Sequence, residues 1–145
     1  MHYVADTPAP RLLNFAVCDD IRAERENKIT LIGYYGRSIV VGNIPGLLPK
    51  LCFLAQFGLF SNPVHVTFRV LSPSGVVLIH APEVEVPLPS ESSLVPEEYR
   101  NTQLVFQIAP MQVPEQGVYR VEFRFSDSRI VDAAFYVSPV KPAAR

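Results

Sequence analysis

The sequence predicts an all-β protein, a sandwich of about 7–9 short antiparallel strands. Its 145 residues include 19 valines, nine phenylalanines and six tyrosines, whose side chains suit a pleated, half-buried surface. Fourteen prolines, about twice the usual share of ~5%, fall mostly between apolar runs, where they do least harm to a sheet. Apolar and polar residues also alternate in short runs spaced about ten residues apart, as in sandwich domains. A chain of this length holds one such domain.

The first predicted strands follow a loose arm over residues 1–11. Leu13, Phe15 and Val17 alternate with Asn14 and Ala16, which predicts a strand with one buried face. A turn and two further strands are then predicted over 19–27, 29–33 and 38–41. Together they predict a hairpin followed by a short third strand.

Residues 51–60 are apolar at both odd and even positions. This pattern predicts either a central strand covered on both faces or a strand that ends at an interface. The next two strands, 64–70 and 76–80, are predicted to pair through a tight turn over 72–75, with residue 67 opposite residue 80. Residues 82–99 carry five glutamates and four prolines, which favours an exposed connection.

Three last strands are predicted over 104–108, 119–125 and 131–137. In the final hairpin we expect Phe125 to lie opposite Val131. The domain organisation is therefore one β-sandwich over 12–138, followed by a tail over 139–145.

The segment PEQGVYRVEF, residues 114–123, resembles the approach to the sixth strand of immunoglobulin-like domains. In those domains a tyrosine just after the turn donates a hydrogen bond back across a corner, and Tyr119 is the matching residue. Val121 stands where the disulfide cysteine is expected. The resemblance implies an immunoglobulin-like sandwich without an inter-sheet disulfide, with Tyr119 in a structural role.

A second resemblance covers roughly the first 55 residues. The stretches CDDIRAERENKITLIGYYG (18–36) and IPGLLPKLCF (44–53) are similar to the signature of a family of small bacterial proteins of unknown function. This resemblance implies a stand-alone cytosolic sandwich with no assigned activity, catalytic residue or ligand.

Charge and cysteine content exclude several classes of protein. A net charge of -1 provides no broad positive field, so we expect no nucleic-acid partner. Cys18 and Cys52 are too few for a disulfide framework and lack zinc-binding spacing, so we expect both to be reduced and packed. No export signal or membrane-spanning stretch is visible, which favours the cytoplasm.

An acidic segment provides the candidate metal site. Carboxylates cluster at Asp19, Asp20, Glu24 and Glu26, as they do in calcium-binding loops. Arg22, Arg25 and Lys28 interrupt the cluster, which favours a turn that neutralises itself. His65 and His80 could share a sheet face in the predicted register, but two exposed histidines without a third ligand are the preferred interpretation.

Motifs for catalysis are missing from the sequence: it contains no GxSxG, HExxH, P-loop or GxGxxG pattern. We therefore expect no enzymatic activity and no cofactor.

An excess of apolar residues indicates the candidate function. Residues 29–60 contain only Arg37 and Lys50 as charged side chains. Either the GNIPGLLP loop, residues 42–49, folds back as a lid over a sheet face, or part of this surface is an interface. The predicted interface residues are Tyr34, Tyr35, Ile39, Val40, Val41, Leu47 and Leu48. They favour a non-catalytic interaction or assembly module that docks a protein, most simply a second copy in a homodimer. The alternative is a small-ligand or metal-binding sandwich that uses the acidic segment.

Overall fold

The structure is a computed structural model that describes residues 11–58, 64–86 and 96–140. These ranges consist of strands and connections, with short 3-10 turns at Arg25–Asn27 and Glu97–Tyr99. The strands are β1 (Arg11–Ala23), β2 (Ile29–Tyr34), β3 (Ser38–Val41), β4 (Gly46–Leu48), β5 (Leu51–Gly58), β6 (Val64–Leu71), β7 (Val77–Val86), β8 (Asn101–Ile108), β9 (Met111–Val113), β10 (Gly117–Phe125) and β11 (Ile130–Pro139). The predicted all-β class is confirmed.

Two larger sheets form a sandwich. The four-stranded sheet has the order β2-β1-β5-β8 and the five-stranded sheet has the order β3-β11-β10-β6-β7. β3 pairs with β11 in parallel, whereas the other neighbours in these sheets are antiparallel. The short strands β4 and β9 pair with each other. They raise the number of strands in the described residues above the predicted 7–9, because neither segment shows a strand pattern in the sequence.

The ends of the domain differ slightly from the predicted boundaries. Arg11 was expected in the arm, but it is the first residue of β1 and lies opposite Gly58. Pro139 was expected in the tail, but it pairs with Val41, and Val140 donates a backbone hydrogen bond to the Val41 carbonyl. The rest of the predicted arm and residues 141–145 of the predicted tail lie outside the described residues.

The hydrophobic core lies between the two larger sheets. Alternate residues of β5 and β10 form its centre and are fully buried: Leu51, Phe53, Ala55, Phe57, Tyr119, Val121 and Phe123. Phenylalanine rings join the sheets, as where Phe123 of β10 meets Phe57 of β5 edge to face at a centroid distance of 5.3 Å. Aromatic pairs of this geometry add to the stability that burial alone provides.

The first hairpin is longer than predicted. β1 continues to Ala23, so Asp19 and Asp20 lie on a strand and not in a turn. The strand continues because Ile21 pairs with Leu31 and Ala23 with Ile29. The connecting turn is therefore limited to residues 24–28.

Strand β7 also extends beyond its prediction. It runs to Val86, through Pro82 and into the segment that the sequence predicted as a connection. Proline is tolerated here because β7 is an edge strand and its pairing with β6 shifts register between Val66 and Phe68. Two residues of β7, Pro82 and Glu83, therefore lie opposite the single residue Thr67 of β6. This arrangement is a β-bulge.

Both predicted hairpin registers are wrong by two residues. His80 lies opposite Arg69 and not opposite Thr67, because β6 and β7 shift register near their turn as well. Val131 lies opposite Phe123 and not opposite Phe125. Phe125 instead closes the hairpin turn, because its amide donates a hydrogen bond to the Arg129 carbonyl at 2.9 Å.

Tyr119 forms a hydrogen bond across the corner before β10. Its ring is fully buried, and its hydroxyl donates to the Glu115 carbonyl at 2.6 Å. This is the geometry of the tyrosine corner in immunoglobulin-like domains.

We expect Tyr119→Phe to lower the free energy of unfolding by about 1–2 kcal/mol, because the Glu115 carbonyl loses its buried donor. Urea denaturation measures the change. Tyr136→Phe is a suitable control, since the Tyr136 hydroxyl bonds to Gln116 on an exposed surface and its loss should change stability by less than about 0.5 kcal/mol. Equal effects of the two variants would contradict a structural role for the Tyr119 hydroxyl.

Candidate interaction surface

The outer face of the four-stranded sheet carries apolar side chains on each strand, although on β8 only Val105 is apolar and the exposed Gln103 and Gln107 lie on either side of it. The pairing register aligns Tyr34 with Cys18 and Cys18 with Cys52, and it aligns Ala16 with Leu54 and Leu54 with Val105. Ile32 lies beside Tyr34 on the same side of β2, opposite Asp20. We call this surface the apolar face, and its residues are Ala16, Cys18, Ile32, Tyr34, Cys52, Leu54 and Val105.

The apolar face has a buried centre and exposed edges. Ala16, Cys18, Cys52 and Leu54 are buried on the two central strands, although they point away from the core. On the edge strands the side chains stand in solvent, with Tyr34 62% exposed and Val105 48% exposed. Apolar side chains at positions where a solvated sheet ordinarily presents polar ones indicate an interaction surface.

The apolar centre explains why β5 shows no alternation in the sequence. Leu51, Phe53 and Phe57 point into the core, whereas Cys52 and Leu54 point outward from the same strand. The prediction of a strand covered on both faces therefore describes β5 correctly.

The two cysteines lie side by side at this centre and are free thiols. They are direct partners on adjacent strands, and the Cys18 thiol donates to the Cys52 carbonyl at 3.8 Å. Burial raises the pKa of Cys18 to about 11 and also raises the pKa of Cys52. Both thiols are therefore neutral at physiological pH, which suits packing and not nucleophilic chemistry.

Polar groups border the apolar face at both ends of the strands. At one end the Lys50 ammonium donates to the Asp20 carboxylate at 2.7 Å and holds the pKa of that carboxyl below its usual value. At the other end Asn14 donates to Gln56 at 2.6 Å, and Gln56 donates to Asn101 at 2.8 Å. An apolar centre with a polar rim is the usual composition of a protein interface.

The outer face of the five-stranded sheet is different, because it carries charges across its centre. The Arg69 guanidinium binds the Glu122 carboxylate through two nitrogens at 2.9–3.1 Å. Arg124 lies on β10, the same strand as Glu122, and Asp132 lies on the adjacent strand β11; both side chains are exposed. One outer face therefore carries charged side chains at its centre, whereas the centre of the other is apolar and its margins are polar.

The predicted interface residues do not form one surface. Tyr34 belongs to the apolar face, whereas Val40 is 60% exposed on the outer side of the five-stranded sheet, which faces the opposite direction. Leu47 is exposed on β4.

The other predicted interface residues belong to the interior or its margin. Ile39 and Val41 were expected at the interface, but they are buried in the core because alternate residues of β3 point inward. Tyr35 and Leu48 are half-buried and pack against the core. Ile44 packs there as well, so this part of the 42–49 loop covers the core as a lid.

The four acidic residues of the candidate metal site bind separate partners. The Tyr35 hydroxyl donates to Asp19, and Lys50 and Arg22 both contact Asp20. Thr30 donates to Glu24 at 2.5 Å, and Lys28 lies 3.5 Å from Glu26.

No potential metal-binding group is found in the part of the chain that the structure describes. Cations contact Asp20 and Glu26, whereas Asp19 and Glu24 accept hydrogen bonds from hydroxyl groups. The histidines are also apart, because His65 pairs with Glu85 and His80 with Arg69, four residues further along β6.

The comparisons with known proteins identify a family. Residues 13–138 match the Family of unknown function (DUF6941). The chain belongs to this family. Membership agrees with the expectation of an uncharacterised family and assigns no activity, ligand or partner. No curated protein matches the sequence.

Two solved structures are similar to this DUF6941 member. CopC from Methylosinus trichosporium OB3b is 18% identical with a TM-score of 0.31, over 74% of this chain and 87% of that one. The C-terminal domain of wzt is 12% identical with a TM-score of 0.42, over 92% of this chain and 74% of that one. In the described ranges, no helix has the length and apolar character needed to span a membrane.

Of the interface residues predicted from the sequence, Tyr34 lies on the apolar face, and the other members of that face were not among the predicted residues. A signal for Cys52 and Leu54 was present, because β5 is apolar at both parities. Ala16, Cys18 and Val105 gave no such signal, since each looks like an ordinary strand residue until the register aligns it with its neighbours.

Proposed function

We propose that this protein is a non-catalytic interaction module of the bacterial cytoplasm that docks another protein through the apolar face. The observation that carries the proposal is the contrast between the two outer faces. One presents an Arg69–Glu122 ion pair and further charges to solvent, whereas the other aligns seven uncharged side chains across four strands. Both faces belong to one small domain, so composition alone does not account for the difference.

The chemistry of the apolar face supports docking. Tyrosine is enriched at interface centres because its ring buries a large area at a small entropic cost, and Tyr34 is 62% exposed. Each additional Å² of apolar surface removed from water contributes roughly 25 cal/mol. Ile32, Tyr34 and Val105 therefore provide a driving force for association that the free protein does not use.

The titratable groups nearby support a role without catalysis. The Asp20 carboxylate is engaged by Lys50, and the Cys18 and Cys52 thiols are held neutral by burial. A cysteine nucleophile acts as its thiolate, which burial disfavours at both positions, and the lowered pKa of the Asp20 carboxyl makes it a weak base.

The proposal is tested by capture with matched variants. Val105→Glu places a carboxylate on the apolar face, and Val118→Glu places one at a similarly exposed valine on the opposite face, with 48% and 50% exposure respectively. Tagged wild type, Val105→Glu and Val118→Glu are each incubated with extract of the source organism, and retained proteins are quantified by mass spectrometry.

We expect at least one protein, which can be an untagged copy of the chain, to be retained by wild type and Val118→Glu and lost with Val105→Glu. Circular dichroism confirms that each variant is folded. Identical retention by all three forms would overturn the proposed function.

A further inference from the structure

We infer that residues 1–10 of the same chain cover the centre of the apolar face and that a docking partner has to displace them. The competition rests on the proposed function, whereas the cover rests on the burial of described residues. Ala16, Cys18, Cys52 and Leu54 point away from the core and yet are 0–8% exposed. The outer face of the other sheet shows that a bare sheet does not bury its side chains to this extent.

Ala134 is the matched residue on the five-stranded sheet. It points outward from β11, the second strand from its edge, as Ala16 points outward from β1, the second strand from its own edge. Ala134 is exposed, whereas Ala16 is only 7% exposed. The larger Leu54 is 8% exposed, although its cross-strand neighbours Ala16 and Val105 lie beside it in the sheet and not above it. A further segment of the chain therefore covers this centre.

The segment 59–63 is too short to provide the cover. It joins Gly58 of the four-stranded sheet to Val64 of the five-stranded sheet, and packed sheets are about 10 Å apart. A link of this length extends at most about 20 Å. Cys52 lies about 20 Å from Gly58 along β5, so one short link cannot cross the sandwich and also reach it.

The segment 87–95 is anchored at both ends. It follows Val86, at the end of β7 that borders the start of β6, and leads to β8, whose first residue pairs with Gly58. A loop of this length extends out and back by about 15 Å, which is short of Cys52. Cys18 lies a further strand away, since β8 borders β5 and not β1.

The segment 141–145 starts on the other sheet. Val140 precedes it and donates to the carbonyl of Val41, on the edge strand β3. Its path to the centre of the apolar face has to pass the sheet separation of about 10 Å and two strand spacings of about 4.8 Å. Five residues extend at most about 18 Å, and Lys141 and Arg145 suit water better than an apolar surface.

Residues 1–10 have both the reach and the chemistry. They precede Arg11, the first residue of β1, and a chain of this length extends to about 33–36 Å. Cys18 lies about 24 Å from Arg11 along the strand, so the segment can turn back over the whole centre. Its sequence, MHYVADTPAP, offers Tyr3 and Val4 to the apolar side chains and contains no lysine or arginine.

The competition follows from the positions of the exposed residues. Tyr34 lies on β2 and Val105 on β8, which are the two edge strands, and the covered side chains lie between them. A partner that contacts both edges has to cross the centre, so it takes the place of residues 1–10. Its apparent affinity is then the intrinsic affinity multiplied by the fraction of molecules whose centre is uncovered.

Thiol reactivity of the full-length protein measures the cover, because Cys18 and Cys52 lie under it. In one variant, residues 2–10 are replaced by a glycine-serine sequence of equal length; in the control, residues 141–145 are replaced in the same way. Both native thiols are at most 1% exposed, so wild type should react slowly with Ellman's reagent. The 2–10 variant should react at least about tenfold faster, since more of its molecules have uncovered thiols. The control should react like wild type, and circular dichroism confirms that both variants are folded.

A photochemical cross-link locates the segment without replacing it. Tyr3 is exchanged for p-benzoylphenylalanine, the purified protein is irradiated at low concentration, and the product is mapped by mass spectrometry. The benzophenone should attach to β1 or β5 within a single chain. The same group at Ala143 should attach to neither strand.

Capture of the partner tests the competition. Below saturation, the 2–10 variant should retain more of the protein that wild type retains, by about the factor found for the thiol rate. Adding Val105→Glu to the 2–10 variant should abolish this retention.

The outcomes separate the two proposals. An unchanged thiol rate in the 2–10 variant, or a cross-link from Tyr3 that lies outside β1 and β5, would overturn the cover by residues 1–10. Faster thiol reaction without increased retention would overturn the competition. In either case, a protein retained by wild type and lost with Val105→Glu alone would leave the proposed function intact. Equal retention by those two forms would overturn the proposed function and leave the cover supported by the thiol and cross-linking results.

Discussion

Phe123→Ala is expected to lower the free energy of unfolding by about 3–5 kcal/mol, the usual loss for a large aromatic side chain in a closed core. The Phe123 side chain is fully buried on β10. Its ring meets Phe57 and Phe106 of the opposite sheet, at centroid distances of 5.3 and 6.0 Å, and Phe68 of its own sheet at 5.6 Å. Alanine would leave a cavity between the sheets that neither sheet can fill without moving its strands.

Urea denaturation followed by circular dichroism measures this loss. Phe123→Leu keeps most of the volume and should cost less than about 2 kcal/mol. Because domains of this size have a total stability of about 5–15 kcal/mol, Phe123→Ala should also lower the melting temperature by well over ten degrees. A loss below about 1.5 kcal/mol would mean that the sheets do not pack through these rings.

Gly33→Ala is expected to cost about 2–4 kcal/mol, clearly more than Gly36→Ala. Both glycines have a left-handed backbone, with φ of 65° and 70°, so alanine is strained by about 1–2 kcal/mol at either position. Only Gly33 is also crowded, since a Cβ there would collide with the Asp19 carboxylate, whereas Gly36 has open space around it. Alanine at Gly33 must therefore displace Asp19 from the half-buried Tyr35 hydroxyl.

The tyrosine titration provides a second measurement of the same change. Burial, together with the hydrogen bond to Asp19, raises the pKa of Tyr35 to about 12. In Gly33→Ala the contribution of Asp19 is lost, so absorbance at alkaline pH should show a lower pKa for one tyrosine. Since the folded-state pKa lies above the ordinary value of 10, the associated stability is present below pH 10 and is lost as the pH rises towards 12. Equal costs for the two glycine variants, with no change in titration, would contradict this account.

The β-sandwich could be predicted from the sequence because strand periodicity and turn residues are local signals. Leu13 to Val17, Val64 to Val70 and Tyr119 to Phe125 alternate clearly, and each forms the expected strand. The strands β4 and β9 could not be predicted, since three residues are too few to show a period.

The composition of the candidate site depends on register, which the sequence does not reveal. Bulges between Leu12 and Asn14 and at Pro82 shift the pairing of whole strands, and a local pattern cannot locate them. The chain also crosses from one sheet to the other between Tyr34 and Ser38. Tyr34 and Val40 are six residues apart in sequence, yet they point to opposite sides of the sandwich for this reason.

The two edges of the five-stranded sheet have a consequence for solubility. β3 at one edge has only four residues, and β7 at the other is interrupted by the bulge at Pro82 and Glu83. Short strands, prolines, charges and bulges all prevent another chain from adding a strand to a sheet edge. Both edges of this sheet, as far as the structure describes them, therefore disfavour fibril growth by strand addition at high protein concentration.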